Sequence, residues 1–371
     1  MRRSFRNLTG LLFLFAVLLA LAAAPAGALT GDQWTTVTSA APWGPRVDHT
    51  SVVFNGKMWV MGGWDGVNAG YPKNDVWYSN DGVLWTAATS AAAWVPRLLH
   101  ASVVFNNRIW VIGGQAGFGG DLVQNDVFWS SDGVAWTTAT AHANWSPRIS
   151  PAVVVFNNKM WLIGGHVPLY LFVYPPPHDE LYPRQVHSST DGITWTTETT
   201  AAAWPGRMRH SVVVHNNEMW LMGGTANELP QPDRGQFHDV WHSANGVTWT
   251  QATTATWAAR ANPGALVEDG KIWVVGGGFG LPIFEISGPN YNDVWYSTTG
   301  TSWTQATASA RWSPRSDHTV LAFGGNLWVL GGFAQASSDP LDVVACSDVF
   351  YTGAAVVPPQ ARARSLWNAY R

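Results

Sequence analysis

Six arginines recur at a near-constant interval, Arg46, Arg97, Arg148, Arg207, Arg260 and Arg315, each ahead of an apolar run that ends in Gly-Gly. A guanidinium is a planar fork of donors suited to carboxylates and sulfates, so six of them around one opening would favour an anionic guest. They would also repel one another, by about 4 kcal/mol at about 4 Å and an effective dielectric near 20, so they need wide spacing, screening or partners. The partners on offer are loop carbonyls or an acid such as Asp48 or Asp317.

Three residues beyond the arginine stands His49, His100, His210 or His318, with Pro151 and Pro263 in the third and fifth copies. One imidazole per repeat is spread around an axis and makes no tight N, O and S cluster, so the expectation is no metal and no cofactor. A second set of candidates lies where the copies differ: Trp64, Tyr174, Glu180, Glu228 and Glu285. Aromatic faces with carboxylates nearby suit sugars, whose CH-rich faces stack on rings while their hydroxyls need polar partners. The third copy holds the longest such segment, with Tyr170, Tyr174, Pro175 to Pro177, His178, Asp179, Glu180 and Tyr182, and it replaces the usual Asn-Asp-Val-Trp by Arg184-Gln185-Val186-His187.

The elements that position these residues follow from the spacing. Gly-Gly pairs begin at Gly62, Gly113, Gly164, Gly223, Gly276 and Gly331, separated by 51, 51, 59, 53 and 55 residues. A period near fifty marks a repeat in which each copy is a small antiparallel sheet that must pack on its neighbours. In the first copy Val52 to Phe54, Met58 to Met61, Val76 to Tyr78 and Trp85-Thr86 read as four strands, with Asn55-Gly56 and Asp81-Gly82 as turns. The first turn recurs as Asn106-Asn107, Asn157-Asn158, Asn216-Asn217, Asp269-Gly270 and Gly324-Gly325, types that tolerate the positive φ of a two-residue hairpin. The first two strands are almost continuously apolar, as expected when both faces of a sheet are covered.

Fourth-strand tryptophans stand at Trp34, Trp85, Trp136, Trp195, Trp249 and Trp303, each followed eight or nine residues later by the tryptophan opening the next copy, from Trp43 to Trp312. One such strand is spare at the start and one is missing at the end. The simplest closure makes six blades, with the segment around Trp34 to Val37 completing the last and removing exposed sheet edges.

Pro-Arg, two residues, His, an apolar run, an aromatic and Gly-Gly resembles the Kelch repeat, particularly that of galactose oxidase-like propellers, over nearly all of residues 29–353. Ser-x-Asp-Gly-x-x-Trp, at Ser79 to Trp85, Ser130 to Trp136 and Ser189 to Trp195, is similar to a shortened Asp-box of sialidase propellers. The resemblance implies an all-β, six-bladed Kelch-type β-propeller with four antiparallel strands per blade and the arginines at the start of the innermost strand. In both families these motifs are structural. It does not carry over the oxidase: Cys346 is the only cysteine, and no copper-ligand motif matches.

Residues 1–28 have the layout of a secretory signal, with Arg2, Arg3 and Arg6, an uncharged stretch from Leu11 to Ala23 and then Ala26-Gly27-Ala28. Arg2-Arg3-Ser4-Phe5 also resembles a twin-arginine signal. The expected location is secreted or periplasmic, with no membrane span after cleavage, and a net charge of -3 argues against nucleic acid. Residues 354–371, with Pro358-Pro359 and Trp367, read as a tail.

In such a blade the connection between the second and third strands emerges on one face, and there the copies differ most. The sequence therefore predicts a binding module for a glycan or an extracytoplasmic protein. The other reading is an enzyme on acidic sugars, mutarotase-like or glycosidase-like, with the arginine ring gripping the carboxylate and Glu180, Glu228 or Glu285 as acid or base.

Overall fold

Asn55, Asn106, Asn157, Asn216 and Asp269 adopt φ between 48° and 51°, the left-handed backbone that lets two apolar runs fold straight back on each other. The computed structural model describes residues 29–66, 71–117, 122–168, 178–226, 235–278, 289–337 and 342–353. Residues 1–28 and 354–371, where the sequence predicts an export signal and a tail, and Tyr174, Glu228 and Glu285 lie outside the described residues.

Blade one pairs Thr50–Phe54, Lys57–Met61, Val76–Ser79 and Trp85–Thr89 in that order, all antiparallel. Blades two to five repeat the order from Ala101–Phe105, Ala152–Phe156, Ser211–His215 and Gly264–Glu268. In blade six, Thr319–Phe323, Asn326–Gln335 and Val343–Thr352 are joined by Trp34–Thr38, with Trp34 opposite Thr352 and Thr35 opposite Tyr351. The N-terminal strand is thus the outer strand of the last blade. Each inner strand packs on the next, Thr319–Phe323 against Thr50–Phe54 included. Across that junction Arg46 N donates to Cys346 O and Gly332 N to Arg46 O, both at 3.0 Å.

The apolar core lies between blades, as six clusters with one at each junction. Each is pinned by an edge-to-face tryptophan pair such as Trp43 with Trp85 or Trp94 with Trp136, centroids 5.9 to 6.2 Å apart; the sixth pair, Trp312 with Trp34, is completed by the N-terminal strand. The Asp-Gly turns add a second fastening. Ser79 Oγ and Asp81 Oδ1 accept the backbone N–H groups of the turn, and Gly82 lies so flat on Trp328 of blade six that a Cβ would come within 2.2 Å of the indole. Gly31 does the same to Trp273, and Trp34 Nε1 donates to Gly31 O as Trp85 Nε1 does to Gly82 O, so Gly31 and Trp34 form the sixth turn of this kind.

The Gly-Gly pairs are explained by close approach. A Cβ on Gly63 would meet His49 Cβ at 2.6 Å and Val47 O at 2.7 Å, and one on Gly62 would meet Arg97 O of the next blade at 3.0 Å. This brings the chain leading into each first strand against two blades at once.

Candidate functional site

All six repeat arginines are fully buried. Arg46 bonds Asp75 through both terminal nitrogens at 2.9 and 3.0 Å, and the same two-pronged pair joins Arg97 to Asp126, Arg207 to Asp239, Arg260 to Asp293 and Arg315 to Asp348. Nη1 also donates to the carbonyl of the first glycine of the pair, Gly62 in blade one at 3.0 Å. Asp48 and Asp317 are therefore not the arginines' partners. The partner is the acid of Asn-Asp-Val-Trp on the third strand, and the signal for it was the fixed interval of 29 residues in blades one and two and 32 or 33 in blades four to six. These groups clamp strands together and present no fork to a guest.

Blade three departs from this. Gln185 stands where the acid should be, and Arg148 donates to Gln185 Oε1 at 2.9 Å, Gly164 O at 3.0 Å and Ser146 O at 3.0 Å. Without a carboxylate, burial alone pulls the Arg148 pKa down to about 9.

Two residues beyond each arginine the chain turns at the propeller axis. Asp48, Leu99, Ser150, Arg209, Asn262 and Asp317 all sit at φ between 47° and 56°. Backbone bonds run from one to the next: Asp48 N to Asp317 O, Leu99 N to Asp48 O, Ser150 N to Leu99 O and Asn262 N to Arg209 O, at 2.7 to 3.3 Å. The Arg209 guanidinium bonds Asp317 and lies 3.6 Å from Asp48, and Asn262 also donates to Asp317. Below this ring is a cavity of ≈ 240 Å³, lined further by His49, His100, His210 and His318. His49 Nε2 bonds Thr319 Oγ1 at 3.1 Å and His100 Nε2 bonds Thr50 Oγ1 at 2.9 Å, each reaching back to the preceding blade. Burial pulls His100 and His210 down to about 3 and His318 to about 4, so they are neutral. Burial, with Asp317 beside it, pushes the Asp48 carboxyl well above the usual carboxylate range. Among the described residues, no three His, Cys, Asp or Glu side chains come together as a metal ion would need.

Of the remaining sequence candidates, Trp64 and Glu180 fall among the described residues, in connections between second and third strands. Trp64 pairs its backbone with Val47 and sets its ring edge-on to Phe333, centroids 6.4 Å apart. Glu180 is exposed on a helical turn, His178–Leu181, whose Leu181, with the adjoining Tyr182, is buried against Met208 and Ala226. Arg209 was missed because it breaks a position that carries no period of its own. The readable signal was that the same slot holds Asp, Leu, Ser, Arg, Asn and Asp in turn.

Residues 100–332 match the family model described as the KLHDC2/KLHL20/DRC7 Kelch-repeats domain, and residues 45–78 match the Kelch motif. Kelch repeat protein M-T8 of Myxoma virus (strain Lausanne) is 23% identical over 56% of this chain, and Putative protein tag-53 of Caenorhabditis elegans is 23% identical over 82%. The chain spans only 37% and 23% of those two relatives' own lengths. The solved structure of YjhT superposes with a TM-score of 0.65 at 16% identity, covering 85% of this chain and 96% of that one, a likeness of fold. No helix among the described residues is long and apolar enough to cross a membrane. Kelch domains are generally protein-interaction modules, and this chain belongs to the Kelch-repeat family.

Proposed function

We propose that this protein is an exported binding module that takes a protein or glycan on the face bearing the connections between second and third strands. The observation that carries the reading is the internal use of the repeat's own chemistry. Arginines, third-strand acids, turn serines and tryptophans are spent on holding blades together, which leaves the residues that differ between blades, on one face, to recognise a partner. Tyr71 on that face is 85% exposed, a large aromatic with nothing to cover it among the described residues.

A second reading, an enzyme acting on acidic sugars, draws on Asp48, a carboxyl beside a cavity whose pKa is raised by burial and by Asp317, the direction a general acid requires. It is weakened by the arginines. The six that were to grip the sugar's carboxylate are buried, five of them paired with an acid and Arg148 bonded to Gln185, and Arg209 is shared between two acids.

The test is binding of residues 29–371 to an array of neutral and acidic glycans and to purified extracytoplasmic proteins, with Tyr71→Ala and Trp64→Ala on the loop face and Leu84→Ala on the opposite face. Loss in the first two with retention in the third is expected. Binding abolished by Leu84→Ala and untouched by the others would place recognition on the wrong face and end the proposal.

A further inference from the structure

The mouth of the axial cavity holds one negative charge too many. Asp317 is fully served: Arg209 and Asn262 donate to Oδ1, and Ser316 donates to Oδ2 at 2.9 Å. Asp48 has the 3.6 Å approach of the same guanidinium and a side-chain hydrogen bond with Asp317, and its Oδ2 is buried with no N–H or hydroxyl donor from the protein. Among the described residues, no other cation lines the cavity. Arg46 is committed to Asp75, and His49, His100, His210 and His318 are kept neutral by burial. Burial first, then the neighbouring Asp317, push the Asp48 carboxyl upward, so its charge is costly in the absence of a cationic guest.

We propose that the axial cavity receives a primary ammonium group, which docks between Asp48 Oδ2 and Ser150 Oγ. The fit rests on charge, hydrogen bonding and space. An ammonium supplies the missing positive charge and three donors, and Ser150 Oγ is a second buried oxygen there without a protein partner. The ≈ 240 Å³ of the cavity far exceeds the roughly 30 Å³ of a water molecule, so an alkyl stem can follow the head group. The mouth is not sealed, since Leu99, Ser150, Arg209 and Asn262 each keep part of their surface exposed. An anion would meet two carboxylates and a guanidinium already engaged by both. A bare metal ion would lack ligands, because no three acidic, imidazole or thiol groups converge among the described residues. The inference goes beyond the loop-face reading and does not depend on which partner those loops take.

The experiment is calorimetric titration of residues 29–371 with n-butylammonium, n-butanol and butyrate, and with a capped Gly-Lys-Gly tripeptide. Saturable binding of the ammonium, at least tenfold tighter than the alcohol and absent for butyrate, is expected. Asp48→Asn should weaken it at least tenfold while the protein stays folded, because Asn262 occupies the equivalent left-handed position in blade five at φ 47°. A tripeptide that binds as tightly as the amine assigns the cavity to a protruding lysine of a partner; the amine binding alone assigns it to a free small amine. No ammonium binding to the wild-type protein, equal binding of the alcohol, or an unchanged affinity in Asp48→Asn overturns the proposal.

Discussion

Two concentric rings, two residues apart in sequence, behave in opposite ways. The outer ring is the same residue six times, Arg46 to Arg315, and in five blades each arginine is paired with an acid on the third strand. The inner ring, Asp48, Leu99, Ser150, Arg209, Asn262 and Asp317, shares a backbone conformation while its side chains differ in charge, size and polarity. Repetition of side chains marks what every blade needs in order to pack. Repetition of backbone with varied side chains marks a position where the fold fixes geometry and leaves the chemistry free.

The largest effect should come from breaking a member of the outer ring. Asp126→Ala leaves Arg97 buried without its anion and should cost about 3 to 5 kcal/mol in denaturant unfolding. A cost under about 1 kcal/mol would mean that the constant ring does not hold the blades. The turn glycines come next. Gly133→Ala puts a Cβ within 2.1 Å of Trp59 at φ 75° and should cost about 2 to 4 kcal/mol, whereas Gly324→Ala, at φ 61° with nothing within 4 Å, should cost about 1 kcal/mol. Equal losses would show that backbone strain alone, and not the fastening onto the neighbouring blade, explains the turn.

This contrast also sets what could be read in advance. Strand order, hairpins and closure by Trp34 were legible because each leaves a mark every fifty residues, in Gly-Gly, in the Asn turns and in paired tryptophans. The arginines were legible as a set but not in their role, since their acids lie 29 to 33 residues away, in the Asn-Asp-Val-Trp of the third strand, and nearer acids such as Asp48 and Asp317 competed for the pairing. Gly31 escaped because its turn lacks the serine that opens each of the other five and the Asp-Gly that marks three of them. The cavity was hidden for a different reason: its residues come together only when six blades close, and no local pattern distinguishes Arg209 from a surface arginine.

Acid should act on the wall of the inner ring. The folded protein keeps His100, His210 and His318 neutral to about pH 3 or 4, while the unfolded chain takes up their protons near pH 6.5. Their contribution is whole above about pH 6.5 and is lost as pH falls, by about 1.4 kcal/mol per pH unit for each histidine. Asp48 works in the opposite sense. With its folded pKa raised, its contribution is present below the carboxylate range and lost as pH rises through the folded value. Stability measured from pH 4 to 8 should therefore fall less steeply toward acid in His100→Gln, and decline less toward neutral pH in Asp48→Asn. Parallel curves for wild type and His100→Gln would mean that this histidine takes up its proton in the fold at the same pH as in the unfolded chain.

The smallest effect concerns the one blade where the outer ring is broken. Gln185→Asp gives Arg148 the acid that five other arginines have, and the strand register that pairs Ile163 with Val186 matches the register pairing Met61 with Val76 beside Asp75. A charged, two-pronged pair in place of a single amide bond should add about 1 kcal/mol after the desolvation of the new carboxylate, read as a higher denaturant midpoint at unchanged slope. Against this stands His187, whose Nε2 lies 3.3 Å from Gln185 Oε1 and whose Nδ1 bonds Thr197 at 3.1 Å. In the other blades an aromatic ring fills that place, Trp77 or Phe128 for example. If Gln185→Asp destabilises the protein, then Gln185 and His187 form a polar substitute for the acid and the tryptophan together, and blade three departs from the repeat as a unit. If it stabilises, the amide is a local loss that the remaining five pairs carry.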